Sequence, residues 1–339
     1  MKCRAEMVGS EKLDGLFRPE RWDGSPYRAG RAWPQDESMT HGSTAEENAT
    51  VVGVDDSPAS LGAVRWAAAD SASRGGTLVL VHADPGIEGS FSDAINLRGG
   101  RVSSARSRAR STLERSRIAA ESVAGESLSI EKVLAAGRPA DVLTEYARDA
   151  WMVVVGSKAA GSRGAGSLAR GVLGSVCDHV AAHAHCPVVR VPEGYRQTKL
   201  DSANLPVVVG LDISVNNDAI LAVAFDQASR RGVGLRVVHA RADTEYRLDP
   251  GPPVESWLTE VTAPWSERYP SVLVSPAVVT DKAPHAIIEE SGHAQLIVVG
   301  SPSRGAMASV FTGSTSRAVL HHSSVPTIVV PVASLHHAH

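Results

Sequence analysis

Much of the chain is written twice. Val51–Ser60, VVGVDDSPAS, returns at an offset of 157 as Val208–Asn217, VVGLDISVNN. Ala72–Ala83, ASRGGTLVLVHA, returns at the same offset as Ser229–Ala240, SRRGVGLRVVHA. Further on, VVGS at Val154–Ser157 matches Val298–Ser301 at an offset of 144. Gly174-Ser175 matches Gly313-Ser314 at 139, as Pro187 matches Pro326. A repeat this long is a duplicated domain, not a solenoid of short units. The falling offset means that the second copy is shorter in a middle connection and again in the segment before Gly313.

Each copy alternates short β-branched apolar runs with amphipathic stretches. The first copy reads as strands near 51–55, 77–83, 128–134, 151–156 and 187–191, with helices near 58–74, 101–123, 138–149 and 175–184. Apolar runs separated by helices predict a parallel sheet covered on both faces. The expected fold class is therefore α/β, two tandem domains, each built on a parallel sheet. The domains are placed at 49–193 and 206–333, joined by the polar linker 194–205. A polar tail covers 1–48, and 334–339 is a short terminal tail; the start, Met1 or Met39, is left open. Aromatics are 4% of residues, so the cores must be built from Val, Leu, Ile and Ala. The net charge of −3 argues against a broad nucleic-acid or membrane footprint. No apolar run approaches the roughly 18 residues of a membrane span. A soluble cytoplasmic protein is the expectation. Cys3, Cys177 and Cys186 are too few and too scattered for a disulfide framework.

After the strand WMVVVGS (Trp151–Ser157) comes GSRGAGSLARGVLGS, Gly161–Ser175. Three of its five glycines, Gly161, Gly164 and Gly174, fall as G-x2-G-x9-G-S. A buried strand breaking into a glycine-rich loop that opens a helix suits phosphate. Glycine permits close backbone approach, and the free amides and dipole of a helix start favour an anion. A second version, SPSRGAMASVFTGS, occupies Ser301–Ser314, with Ser303 where the first loop glycine stood. No Gly-Lys-Ser/Thr occurs, so P-loop phosphoryl transfer is not expected.

With this loop, VVGVDDSPAS at the first strand and HAHCPVVRV (His183–Val191) at the last, the chain resembles the universal stress protein family in its tandem form, over about 50–332. The resemblance implies two tandem Rossmann-like domains, each an open five-stranded parallel sheet of order 3-2-1-4-5. It also implies ATP across the carboxyl ends of the first and fourth strands, where such sheets bind ligands. Carried onto this chain, Gly53 and Asp55 line the adenosine side and Ala83 flanks the adenine. Gly156, Gly161 and Gly164 wrap the phosphates, and Gly174 with Ser175 caps them. The second-copy counterparts are Gly210, Asp212, Ala240, Gly300, Gly305, Gly313 and Ser314. The cofactor expectation is ATP, with Mg2+ left open. No catalytic residue and no metal ligand is assigned.

Other features have plainer readings. Asp55 also suits a helix entry at Pro58. His179, His183, His185 and Cys186 invite a metal, but a helix-terminal histidine cluster is preferred. The arginines from Arg98 to Arg117 read as a solvated basic helix. Cys177, at a helix start, reads as inert packing in preference to a redox sensor. The expected function is a nucleotide-dependent regulator of stress or dormancy. The alternatives are an adenylating or ATP-hydrolysing enzyme on the same fold, and a ligand-free dimerisation module. The apolar last strands, Pro187–Pro192 and Pro326–Val332, are expected to pair as an internal pseudo-dimer. A further homodimer is left open. No nucleic-acid or membrane partner is expected.

Overall fold

A computed structural model of the chain describes residues 48–85, 99–157, 175–195, 204–241, 254–302 and 314–332. Among them, the strands in chain order are β1 (Thr50–Gly53), β2 (Leu78–Asp84), β3 (Ile130–Ala136), β4 (Met152–Ser157), β5 (Val188–Pro192), β6 (Val207–Gly210), β7 (Leu235–Arg241), β8 (Val274–Thr280), β9 (Leu296–Pro302) and β10 (Thr327–Val332). The helices are α1 (Pro58–Arg74), α2 (Gly99–Ala124), α3 (Pro139–Tyr146), α4 (Ser175–His183), α5 (Asp218–Arg231), α6 (Val254–Arg268), α7 (Ala283–Glu290) and α8 (Ser314–His322).

The strands make one sheet in the order β3-β2-β1-β4-β5-β10-β9-β6-β7-β8. Each half repeats the order 3-2-1-4-5 and is parallel throughout. The halves meet where β5 and β10 pair antiparallel, with Ile328 opposite Val189. The expected pairing of the two last strands is what joins the domains. It removes two apolar edges at once.

The strand residues alternate between two cores. Val52, Leu80, Val154 and Val189 face one layer, built with α1, α2, α5 and α6. Val51, Val153, Val155 and Val188 face the other, built with α3, α4, α7 and α8. Both layers continue across the β5–β10 seam. Among the described strand residues, exposed ones occur only on the outermost strands, β3 and β8. Charged Glu131 and Lys132 on β3, and Pro276 on β8, suit an edge because they resist further strand addition.

Helix α1 shows how local signals set these elements. Ser57 is its N-cap, accepting from the Ser60 amide at 3.1 Å, and Pro58 opens the first turn. Gly75 closes it in the left-handed region, φ 67°. In the second copy Val215 replaces that proline, and α5 begins about one turn later, at Asp218.

The seam also carries buried charge that apolar patterning did not suggest. Asp70 on α1 holds Arg74 Nε at 2.9 Å and accepts from Gln227 Nε2 on α5 at 2.8 Å. Arg74 reaches Asp226 at 2.8 Å and lies over Trp151, 4.6 Å from the ring centre. Arg231 donates to Gln227 Oε1 and lies over Trp66. Arg190, inside the apolar run of β5, is 4% exposed. Its Nε donates to Ser157 Oγ, and its Nη1 donates to the Ser323 carbonyl of the second half at 2.7 Å.

Candidate functional site

The strand order reverses between β1 and β4, whose neighbours run off in opposite directions. At such a point the connections leave to opposite faces, and a crevice opens beyond the strand ends. The structure brings several of the expected residues there: Gly53 and Asp55 after β1, Ala83 near the end of β2, Gly156 at the end of β4, and Ser175 as the first residue of α4. Gly210, Asp212, Ala240, Gly300 and Ser314 hold the corresponding places in the second half. Gly161, Gly164, Gly174, Gly305 and Gly313 lie outside the described residues, as do Ser303 and the tail at 1–47.

Asp55 makes the turn into α1. Its Oδ1 accepts from the Ser57 amide at 2.9 Å and from the Ser57 hydroxyl, while its own amide donates to Ser60 Oγ at 3.0 Å. Asp212 does the same with the Ser214 amide at 2.9 Å and hydroxyl at 2.8 Å. A short acidic side chain bonding two residues ahead is an Asx turn. Among the described residues only Oδ1 of each carboxylate is engaged; both side chains are exposed. The neighbouring Asp56 ties this turn to α2 through Thr112 and Arg115.

The glycines are there for packing. A Cβ on Gly156 would sit 2.4 Å from the backbone carbon and oxygen of Ala59, because the end of β4 presses on the first turn of α1. A Cβ on Gly53 would meet Leu143 Cδ1 at 2.7 Å, and one on Gly210 would meet Ile287 Cδ1 at 2.6 Å. Gly300 differs from Gly156: its nearest obstacle is the Ile220 side-chain tip at 2.5 Å. The space beside Gly156 is thus bounded by rigid backbone, and that beside Gly300 by movable side chains.

His82 and His239 were not singled out from the sequence, yet the structure gives both the same role. His82 Nδ1 lies 2.8 Å from the Val54 carbonyl, and His239 Nδ1 lies 3.0 Å from that of Leu211. A carbonyl only accepts, so Nδ1 carries the proton and Nε2 is left as an acceptor in the neutral ring. Each imidazole pins the end of the second strand to the exit of the first. The signal was available: the histidine recurs at the repeat offset, one residue before Ala83 and Ala240.

The remaining candidates settle into structural roles. His179 and His183 stack with ring centres 4.1 Å apart, and His183 Nδ1 bonds the His179 carbonyl at 2.7 Å. His179 also faces Asp141 at 3.6 Å. Asp281, His285 and Glu289 do bring three ligand-type atoms within 4.8 Å of one another. Asp281 is half-buried, the other two are exposed, and the cluster contains an Asp281–His285 ion pair. Cys177 is buried, and burial pushes its thiol up to about 12, against thiolate chemistry. On α2, Arg115 pairs with Asp56, and Arg117 with Glu114 and Glu121. Arg98 lies outside the described residues. No described helix is long and apolar enough to cross a membrane.

Two doubly wound α/β units, fused through their last strands and each ending in the same Asx turn and histidine clip, define a tandem Rossmann-like protein. The chain belongs to the universal stress protein family, whose model matches residues 48–192 and 204–331. It is 37% identical over 292 residues to the universal stress protein Rv2005c of Mycobacterium tuberculosis, covering 84% of this chain and 97% of that one. It is 36% identical over 290 residues to Rv2623 of the same species, covering 82% and 95%. A solved universal stress protein from Archaeoglobus fulgidus matches with a TM-score of 0.62 at 20% identity, covering 84% of this chain and 98% of that one; this is a likeness of fold.

Proposed function

We propose that this protein is an adenine-nucleotide-binding regulator of the stress response, with ATP as the ligand of the first half. The observation that carries the reading is the reversal of strand order at β1–β4, beyond which Asp55 keeps one carboxylate oxygen unengaged by the described residues beside the start of α1. On this reading Asp55 Oδ2 accepts from a ribose hydroxyl or the adenine amino group. His82 Nε2 is a second acceptor, and Ala83 leaves flat space for the base. Gly161, Gly164 and Gly174 present amides to the phosphates, and the start of α4 at Ser175 caps them. Mg2+ would enter, if at all, with the triphosphate, since no metal ligand set is assigned at this crevice. The second half offers the same elements in Asp212, His239 and Ala240, with Gly305, Gly313 and Ser314 in a shorter loop. The sequence has no Gly-Lys-Ser/Thr loop for phosphoryl transfer, which fits a regulator read by other molecules.

Mass spectrometry of small molecules released from freshly purified protein tests this directly, followed by calorimetric titration with ATP, ADP, AMP and cyclic AMP. An adenine nucleotide is expected in the first experiment. In the second, Gly174→Val removes binding to the first half. Protein that purifies free of nucleotide and takes up none on titration overturns the reading.

A further inference from the structure

Asp281, His285 and Glu289 follow one another at intervals of four residues, from the end of β8 through α7. That spacing brings them to one side of the helix. One donor atom from each lies within 4.8 Å of the others. His285 Nδ1 is paired with Asp281 Oδ2, and its Nε2 lies 3.8 Å from Glu289 Oε1. An imidazole between two carboxylates is a nitrogen-and-oxygen donor set suited to a divalent transition metal. With the imidazole neutral, the set carries two negative charges, which balance such an ion.

Contacts outside the three donors hold them in place. Asp281 Oδ1 accepts from the Lys282 amide at 2.6 Å, which leaves Oδ2 for the imidazole. An outer bond of this kind orients a carboxylate ligand. Glu290, next to Glu289, accepts from Arg236 of β7 through two bonds of 2.7 and 2.8 Å, so the last turn of α7 is tied to the sheet. Tetrahedral zinc, at about 2.0–2.1 Å from each ligand, sets its donors roughly 3.4 Å apart. Closing from 4.8 Å to that spacing takes movements of up to about 1.4 Å. The side chains of His285 and Glu289, 62% and 67% exposed, have room for them. The first half lacks the set. At the repeat offset of 144 the positions are Gly137, Asp141 and Glu145, and Asp141 faces Arg138 and His179.

We propose that Asp281, His285 and Glu289 form a zinc-class site of the second half, with one nitrogen of His285, one oxygen from each carboxylate and a fourth position left to water. Ca2+ asks for six or more oxygens and Mg2+ keeps most of its water, so neither suits a set containing an imidazole. Zn2+ should bind more tightly than Mn2+. The site stands apart from the candidate nucleotide residues and does not rest on them.

The experiment uses the full chain carrying His336→Ala, His337→Ala and His339→Ala, because clustered histidines bind metal by themselves. This parent, stripped with a chelator and dialysed, is titrated with Zn2+ against a chromogenic chelator. One equivalent of Zn2+ is expected that His285→Ala weakens at least about tenfold, the lower end of the loss produced even by removing an outer partner of a ligand. Asp281→Asn and Glu289→Gln should act in the same direction; the first keeps an acceptor for the Lys282 amide and so preserves the turn. Hydrogen exchange gives the local readout: Zn2+ should slow exchange in α7 of the parent and leave His285→Ala unchanged. Mg2+ at the same concentration should neither compete nor protect. Identical Zn2+ titrations of the parent and His285→Ala overturn the site, as does Zn2+ uptake without protection of α7. A loss confined to His285→Ala, with both carboxylate variants binding as the parent does, reduces the cluster to one surface histidine and overturns the site as well.

Discussion

Replacing Asp70 with alanine should be among the most damaging single changes in the molecule. Its carboxylate is 2% exposed and is shared by Arg74, at 2.9 Å, and Gln227, at 2.8 Å, with Arg231 at 3.9 Å. Removing it leaves Arg74, itself 4% exposed, with Asp226 as its remaining acidic partner, and leaves the buried Gln227 amide without its acceptor. Breaking a buried pair by deleting one partner costs about 3–5 kcal/mol, because the other charge stays buried and uncompensated. At roughly 2–4 °C per kcal/mol, the scale for units of 150–250 residues, the melting temperature should fall by roughly 6–20 °C at most. Asp56→Ala is the control. It also removes an ion pair, with Arg115, but those side chains are 61% and 59% exposed, and such a pair is worth at most about 1 kcal/mol. Differential scanning calorimetry of the two variants beside the parent makes the comparison. If Asp70→Ala melts no lower than Asp56→Ala, the buried network does not hold the seam, and the reasoning from burial is wrong.

Gly156→Ala should lower the melting temperature far more than Gly300→Ala, because the first meets rigid backbone at 2.4 Å and the second a movable side-chain tip; equal melting of the two variants would contradict the packing account. Cys177, its thiol pushed to about 12, should resist iodoacetamide at pH 8 in the folded protein and react fully in urea, as followed by intact-mass measurement. Glu114 is held down to about 2 from 4.5, first by its bond to Arg117 and then by Lys132. A folded value below the unfolded one means that its stabilising effect is complete above about 4.5 and is lost as pH falls toward 2. Glu114→Gln should therefore melt below the parent at pH 7 and approach it near pH 2.5, with a small difference because the site is open to solvent and salt.

The elements were legible because their signals are local. Ser57 and Pro58 announce α1, Gly75 ends it, and valine runs bounded by helices announce a covered parallel sheet. The duplication at offset 157 made the second half readable from the first, and apolar last strands ending in proline pointed to the pairing of β5 with β10. The place of the candidate site, between the first and fourth strands, was expected from the family resemblance, and the helix entry at Asp55 from the residues before Pro58, whereas the matching turn at Asp212 came from the structure. What escaped was contact over distance. Arg190 sits in an apolar run, and nothing near it in the chain predicts Ser323 as its partner. Asp70 and Arg74 stand four residues apart on α1, and nothing near them in the chain predicts Gln227 and Asp226 of α5 as their partners. His82 looked like part of a strand, though its recurrence as His239 was a usable clue.

Sequence alone determined the alternation, the repeat and the strand ends, since hydrophobic period and turn chemistry act within a few residues. Tertiary structure alone decided which polar groups are buried at the seam, which glycine faces unyielding backbone, and that Arg190 of the first half reaches the Ser323 carbonyl of the second. Those outcomes depend on which faces meet, and a linear pattern does not carry that information.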